Sequence, residues 1–124
     1  MFRAFLLLGS ISAFLAVALG AIGAHAFRSQ LSEYSLSIYQ TAVQYQFLHA
    51  FGLILIALLS ATRPSSRILC WSGSLMVIGI LLFSGSLYTL SITADKFYAI
   101  FTPMGGIAFL CAWMLLGIHA WRLR

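Results

Sequence analysis

Hydrophobic and polar positions along the 124-residue chain fall into long blocks rather than alternating. Residues 4–27, 34–62, 68–94 and 97–121 contain no Asp, Glu, Lys or Arg. A helix rises about 1.5 Å per residue, so about 20 apolar residues cover a hydrocarbon core about 30 Å thick. Every block is long enough. In lipid the backbone must satisfy its own N–H and C=O groups, which leaves helices and closed barrels as spanning structures. The blocks are much longer than barrel strands and show no period of two. The pattern therefore predicts an all-α integral membrane protein, a four-transmembrane-helix bundle forming one domain over residues 1–124.

Finer periodicity adds detail. Gly9, Ala13, Ala16, Gly20 and Gly23 follow a 4-3-4-3 spacing that lines one face of span one, a seam where helix backbones can approach closely. Leu31, Tyr34, Ile38, Ala42 and Tyr45 recur at three and four, the mark of an amphipathic helix. With tyrosines and serines on it, this segment is expected to lie as an interfacial amphipathic helix between spans one and two. Span two proper is then expected from about Ala42 to Leu59, and span three from about Ile68 to Leu90. Pro64 ends span two in a turn over residues 61–67. Span four is expected to open at Thr102-Pro103, with Thr as cap and Pro in the first turn.

The nine charges sit at the seams, and the net charge is +5. With four spans both termini share one side. That side collects Arg3, Arg63, Arg67, Arg122 and Arg124; the other holds Arg28 and Lys96, offset by Glu33 and Asp95. The positive-inside rule places the first side in the cytoplasm, with the four spans surrounded by the lipid bilayer. The basic residues are single and form no run interleaved with aromatics, so nucleic acid is not an expected partner. Ala24-His25-Ala26 mimics a leader cleavage site. The apolar run before it exceeds the 7–15 residues of a leader's core, so it reads as a span. Cys70 and Cys111 belong at different depths and are expected as small buried residues rather than a disulfide.

This topology gathers the polar residues inside the spans. His25 ends span one on the outer side. Gln46 and His49 fall in the outer half of span two and share a face with Tyr39, Ala42 and Leu53. Gln40 and Gln44 fall on the opposite side. Ser84, Ser86 and Tyr88 fall in the outer half of span three, with Gly73, Val77, Ile80, Ser84 and Tyr88 as its inward face. Thr102, Gly105 and Gly106 open span four, whose first N–H groups and dipole would favour a carbonyl or an anion there. Two readings fit this outer-leaflet cluster. The side chains either hydrogen-bond helix to helix, or they line a pocket for a small lipid-like or quinone-like ligand. A proton or ion path needs polar stations in both leaflets, and the inner half offers none.

Catalytic and metal chemistry find little support. No carboxylate within a span could orient a histidine, and neither a nucleophile elbow nor a glycine-rich phosphate loop occurs. Two imidazoles without a carboxylate or thiolate make a poor zinc set. His119, beside Trp121 and Arg122, reads as an interfacial residue. No metal and no cofactor is expected.

Three stretches in order, Gly20-Ala-Ile-Gly-Ala-His-Ala26, Tyr45-Gln-Phe-Leu-His49-Ala, and Leu82-Phe-Ser-Gly-Ser-Leu-Tyr88 followed by Thr102-Pro-Met-Gly-Gly106, resemble the YgdD/YwdK-like family of small bacterial inner-membrane proteins. The chain departs from that pattern at Thr93-Ala94, where Thr-Gly is usual, and at Cys111-Ala112-Trp113, where a Gly-Trp pair is usual. The resemblance implies a four-span fold and brings no activity, substrate or cofactor. The expected function is a structural or accessory membrane component, oligomeric or partnered with another membrane protein. The alternative is a binder of a lipid-like ligand.

Overall fold

A computed structural model describes residues 1–123; Arg124, counted above among the cytoplasmic charges, lies outside the described residues. Four helices are long and apolar enough to cross a membrane: α1 (Phe2–Phe27), α2 (Glu33–Thr62), α3 (Arg67–Thr93) and α4 (Lys96–Trp121). Arg3, Arg63, Arg67 and Arg122 gather at one end of the bundle, called here the basic end.

The connections explain the boundaries. Ser32 caps α2 by accepting the Ser35 N–H at 3.1 Å, and Glu33 lies in the first turn, where a helix favours negative charge. Ser66 caps α3 in the same way, accepting from Leu69 N at 3.4 Å. At the other end α3 stops on Ala94, which takes a left-handed conformation with φ 58°. Asp95 then accepts the Phe97 N–H at 2.9 Å and starts α4 as a tight turn over Lys96–Ile100.

Two expectations change here. The amphipathic segment is not a separate interfacial helix: it forms the first turns of α2, which runs unbroken from Glu33 to Thr62. Nothing between Ser32 and Pro64 interrupts the helix, and at about 45 Å it exceeds the hydrocarbon core, so its first turns stand at headgroup level. Nor does Thr102 cap α4. The helix has already begun at Lys96, so its free N–H groups belong to the exposed tight turn rather than to Thr102.

The helices pack as two hairpins, α1 on α2 and α3 on α4, joined through α2 and α3. The apolar core occupies the basic half: Phe5, Leu53, Ile56, Ala57, Leu69, Met76, Ala112 and Leu116 form one buried cluster. The Phe5 ring reaches across from α1 onto Gly73 of α3. Gly9 lies against α2 so closely that a Cβ would meet Ala50 O at 3.0 Å and Ile54 Cγ1 at 2.8 Å. Ala16 is buried, Ala13 half-buried, Gly20 lies beside Val43 and Gly23 beneath the Tyr39 ring. Those small residues let α1 approach α2 along its length.

Helix α3 contains one wide, i→i+5 turn over Ile80–Ser84. Such a turn inserts a residue and rotates the helix beyond it. The expected inward face is split: Gly73 and Ser84 are buried, whereas Val77, Ile80 and Tyr88 are half-buried and line a groove. Before the wide turn the buried face instead runs through Leu69, Ser72, Gly73, Met76 and Gly79; after it, through Ser84, Leu87 and Ser91.

Candidate functional site

Gln46 stands about 24 Å from the end of α2 at Thr62, on a helix of about 45 Å, and His49 about 20 Å from it. Both flank the middle of the helix. From there the polar residues extend toward the non-basic end of the bundle, the side on which the sequence pattern gathers them.

Gln46 is nearly fully buried and uses both ends of its amide. Its Nε2 donates to Ser12 O of α1 at 3.1 Å, and its Oε1 accepts from the Tyr88 hydroxyl of α3 at 2.7 Å. Ser84 donates to Ala42 O at 2.8 Å, a second tie between α3 and α2. The Ser86 hydroxyl gives its proton to Phe83 O at 2.9 Å, so the Thr102 hydroxyl donates to Ser86 Oγ at 2.7 Å and links α4 to α3. Gly105 accepts the α3 backbone at close range: a Cβ there would collide with Phe83 N.

His49 is buried but parts company with Gln46. Whereas Gln46 meets α1 and α3, His49 lies flat on Phe109 of α4, ring centroids 3.4 Å apart at 11°. Its Nδ1 is 2.7 Å from Tyr45 O. A carbonyl only accepts, so Nδ1 carries the proton and Nε2 holds the free lone pair. Gly106 lies beside this stack, in a shallow groove with Tyr45 and Phe83. His25 does not join the cluster: it is exposed in the wide turn Gly23–Phe27 that ends α1. Gln40 and Gln44 are exposed, as their side of the helix suggested. The three histidines thus sit at three different depths, and no group of three metal-binding side chains assembles among the described residues.

A groove of about 300 Å³ opens beside Gln46, between α1 and α3 on the surface of α2. Its polar floor consists of Ser12, Gln46, Ser84 and Tyr88. Leu8, Ile11, Leu15 and Leu81 are exposed at its rim, so the mouth faces the bilayer sideways. Ser12 Oγ is buried on this floor with no hydrogen-bond partner among the described residues.

Several polar contacts are not legible in the sequence pattern. Tyr39 belongs to the inward face as expected, but its hydroxyl also donates to Leu19 O of α1 at 2.6 Å. Ser72 donates to Ala112 O of α4 at 2.8 Å. His119 stands in the last turn of α4, beside Trp121 and Arg122, and is buried there, its Nδ1 3.3 Å from Ser66 Oγ. Lone serines in apolar blocks carry no periodicity, and only the spacing of Ser12 beside the small-residue stripe hints at a role.

The comparisons with known proteins bear on this arrangement. The family model described as "Protein of unknown function (DUF423)" matches residues 19–106, from the end of α1 to Gly106. The chain belongs to this family. It is 41% identical over 118 residues to the UPF0382 membrane protein YwdK of Bacillus subtilis, covering 95% of this chain and 96% of the relative. It is 36% identical over 122 residues to the UPF0382 inner membrane protein YgdD of Escherichia coli K12, covering 98% and 92%. A Staphylococcus epidermidis UPF0382 membrane protein is 40% identical over 116 residues, covering 94% and 93%. No solved structure matches the chain. Within this DUF423 member, the groove floor and the Gln46 bonds draw on residues 46, 84 and 88, all inside the matched region, whereas Ser12 lies before it.

Proposed function

We propose that this DUF423 member is a structural or accessory component of the bacterial inner membrane, in which buried polar side chains fasten helix to helix. The observation that carries this reading is Gln46, whose amide is taken up at both ends by other helices. Ser84 and Thr102 likewise bond to neighbouring helices rather than toward an open space. The relatives named inner membrane proteins support the location. The arginines at one end support cytoplasmic termini, with the 61–67 turn on the same side. Helix α1 is the least buried of the four and would carry a second copy or a membrane-protein partner. Crosslinking in native membranes from sites on α1 tests this reading, with identification of what is captured. Only monomer, from every α1 position tried, would count against it.

A second reading rests on Ser12. An unpaired buried hydroxyl on the floor of an apolar, sideways-open groove supports the binding of a lipid-like or quinone-like molecule with one polar atom. Native mass spectrometry of the protein extracted from its membrane decides between the two. A retained small molecule lost on Gly85→Leu, which fills the groove, supports binding; a bare protein supports fastening alone.

A further inference from the structure

The basic end holds a second cavity, of about 430 Å³, that the polar cluster does not explain. Arg63, Ser65, Ser66, His119 and Arg122 line it. Neither arginine has a carboxylate within salt-bridge distance among the described residues, and the chain's two acids, Glu33 and Asp95, both stand at the far end of the bundle. His119 is only 7% exposed, bonds Ser66 through Nδ1, and has no partner for Nε2 among the described residues. Ser66 also caps α3, and the Arg67 and Ile68 N–H groups precede the first intrahelical bond, Cys70 N to Ser66 O at 3.1 Å. Two guanidinium groups with no carboxylate partner among the described residues, an imidazole and a helix start thus surround one space.

Arg122 also borders a neighbouring apolar groove on α4, formed with Met114, Gly117, Ile118 and Trp121. Gly117 opens it: a Cβ there would meet nothing within 4 Å. Trp121 is 89% exposed, as an interfacial anchor at headgroup depth is. We infer that this end binds one anionic phospholipid, its phosphate held between Arg63 and Arg122 and an acyl chain laid over Gly117 along α4. Charge complementarity selects the headgroup, and the groove distinguishes a lipid from a free phosphate.

The test is native mass spectrometry of the purified protein in neutral detergent, titrated with phosphatidylglycerol, phosphatidylcholine or inorganic phosphate. Phosphatidylglycerol should be retained over phosphatidylcholine. Arg63→Gln and Arg122→Gln should each weaken retention about fivefold, the equivalent of about 1 kcal/mol for a basic residue near an anionic surface. Gly117→Leu should weaken phosphatidylglycerol with both arginines in place, and inorganic phosphate should not displace the lipid. Arg3→Gln removes a charge from the same end, outside the cavity, and should change nothing. Equal retention of both lipids, or an equal loss on Arg3→Gln, would overturn the site. Displacement by inorganic phosphate together with an inert Gly117→Leu would overturn the lipid and leave an anion cavity. Should the arginine variants fail to fold, Gly117→Leu alone decides: undiminished phosphatidylglycerol retention refutes the assignment.

Discussion

The Tyr88 hydroxyl donates to Gln46 Oε1 at 2.7 Å, while the same amide donates to Ser12 O. One side chain near the middle of α2 therefore joins three helices. Interhelical hydrogen bonds in membranes contribute about 0.6–2 kcal/mol each. Gln46→Leu should lower stability by about 1–3 kcal/mol, read as a fall in melting temperature in detergent. Tyr88→Phe should cost less, and the double variant less than the sum, because the two substitutions remove a shared bond. Strict additivity would show that the bond contributes nothing.

Ser12→Ala should have the opposite sign. Its hydroxyl is buried without a partner among the described residues, and removing an unsatisfied polar group relieves a desolvation cost of about 1–3 kcal/mol. A raised melting temperature is expected in the delipidated protein. A fall would mean that the hydroxyl holds something there.

The two ends of α4 should respond differently to the same methyl group. Gly105→Ala pushes a Cβ into the Phe83 backbone and should cost about 1–3 kcal/mol. Gly117→Ala meets open space and should be neutral or stabilising by up to about 1 kcal/mol. Equal effects in thermal melts would refute the close approach of α4 to α3 at Gly105.

Ala94 is the one non-glycine residue with positive φ among the described residues, at the position that ends α3. A left-handed residue with a Cβ is strained by about 1–2 kcal/mol, which glycine avoids. Ala94→Gly should therefore stabilise the protein by about 1 kcal/mol in chemical or thermal denaturation. Here the departure from the family's Thr-Gly pattern has a physical meaning: the backbone still takes the turn that glycine favours.

Orientation can be read with a single thiol. With Cys70 and Cys111 replaced by serine and alanine, Lys96→Cys should react with a membrane-impermeant maleimide in intact cells. Protection at position 96, together with labelling of Arg63→Cys, would invert the proposed topology.

The four helices were legible because a block without charge has one physical meaning in a chain this apolar. Where the second helix starts was less so. Ala42 looks like the start of span two because tyrosines and serines precede it, yet the backbone has no reason to break until Pro64. The wide turn at Ile80–Ser84 is also hidden, since nothing in Ile-Leu-Leu-Phe-Ser distinguishes an inserted residue from a regular turn. Beyond that insertion Tyr88 is half-buried, and Leu87 and Ser91 carry the buried face. Gln46 and His49 look like one pair by spacing, but helices on either side claim them separately.

Gln46 has a bearing on the order in which the bundle comes together. The first hairpin alone can offer its amide the Ser12 carbonyl, but the hydroxyl that completes it arrives only with α3. Until then a carbonyl oxygen stands bare in hydrocarbon. The newly inserted first hairpin is thus left with an unfinished bond, and the second hairpin closes it.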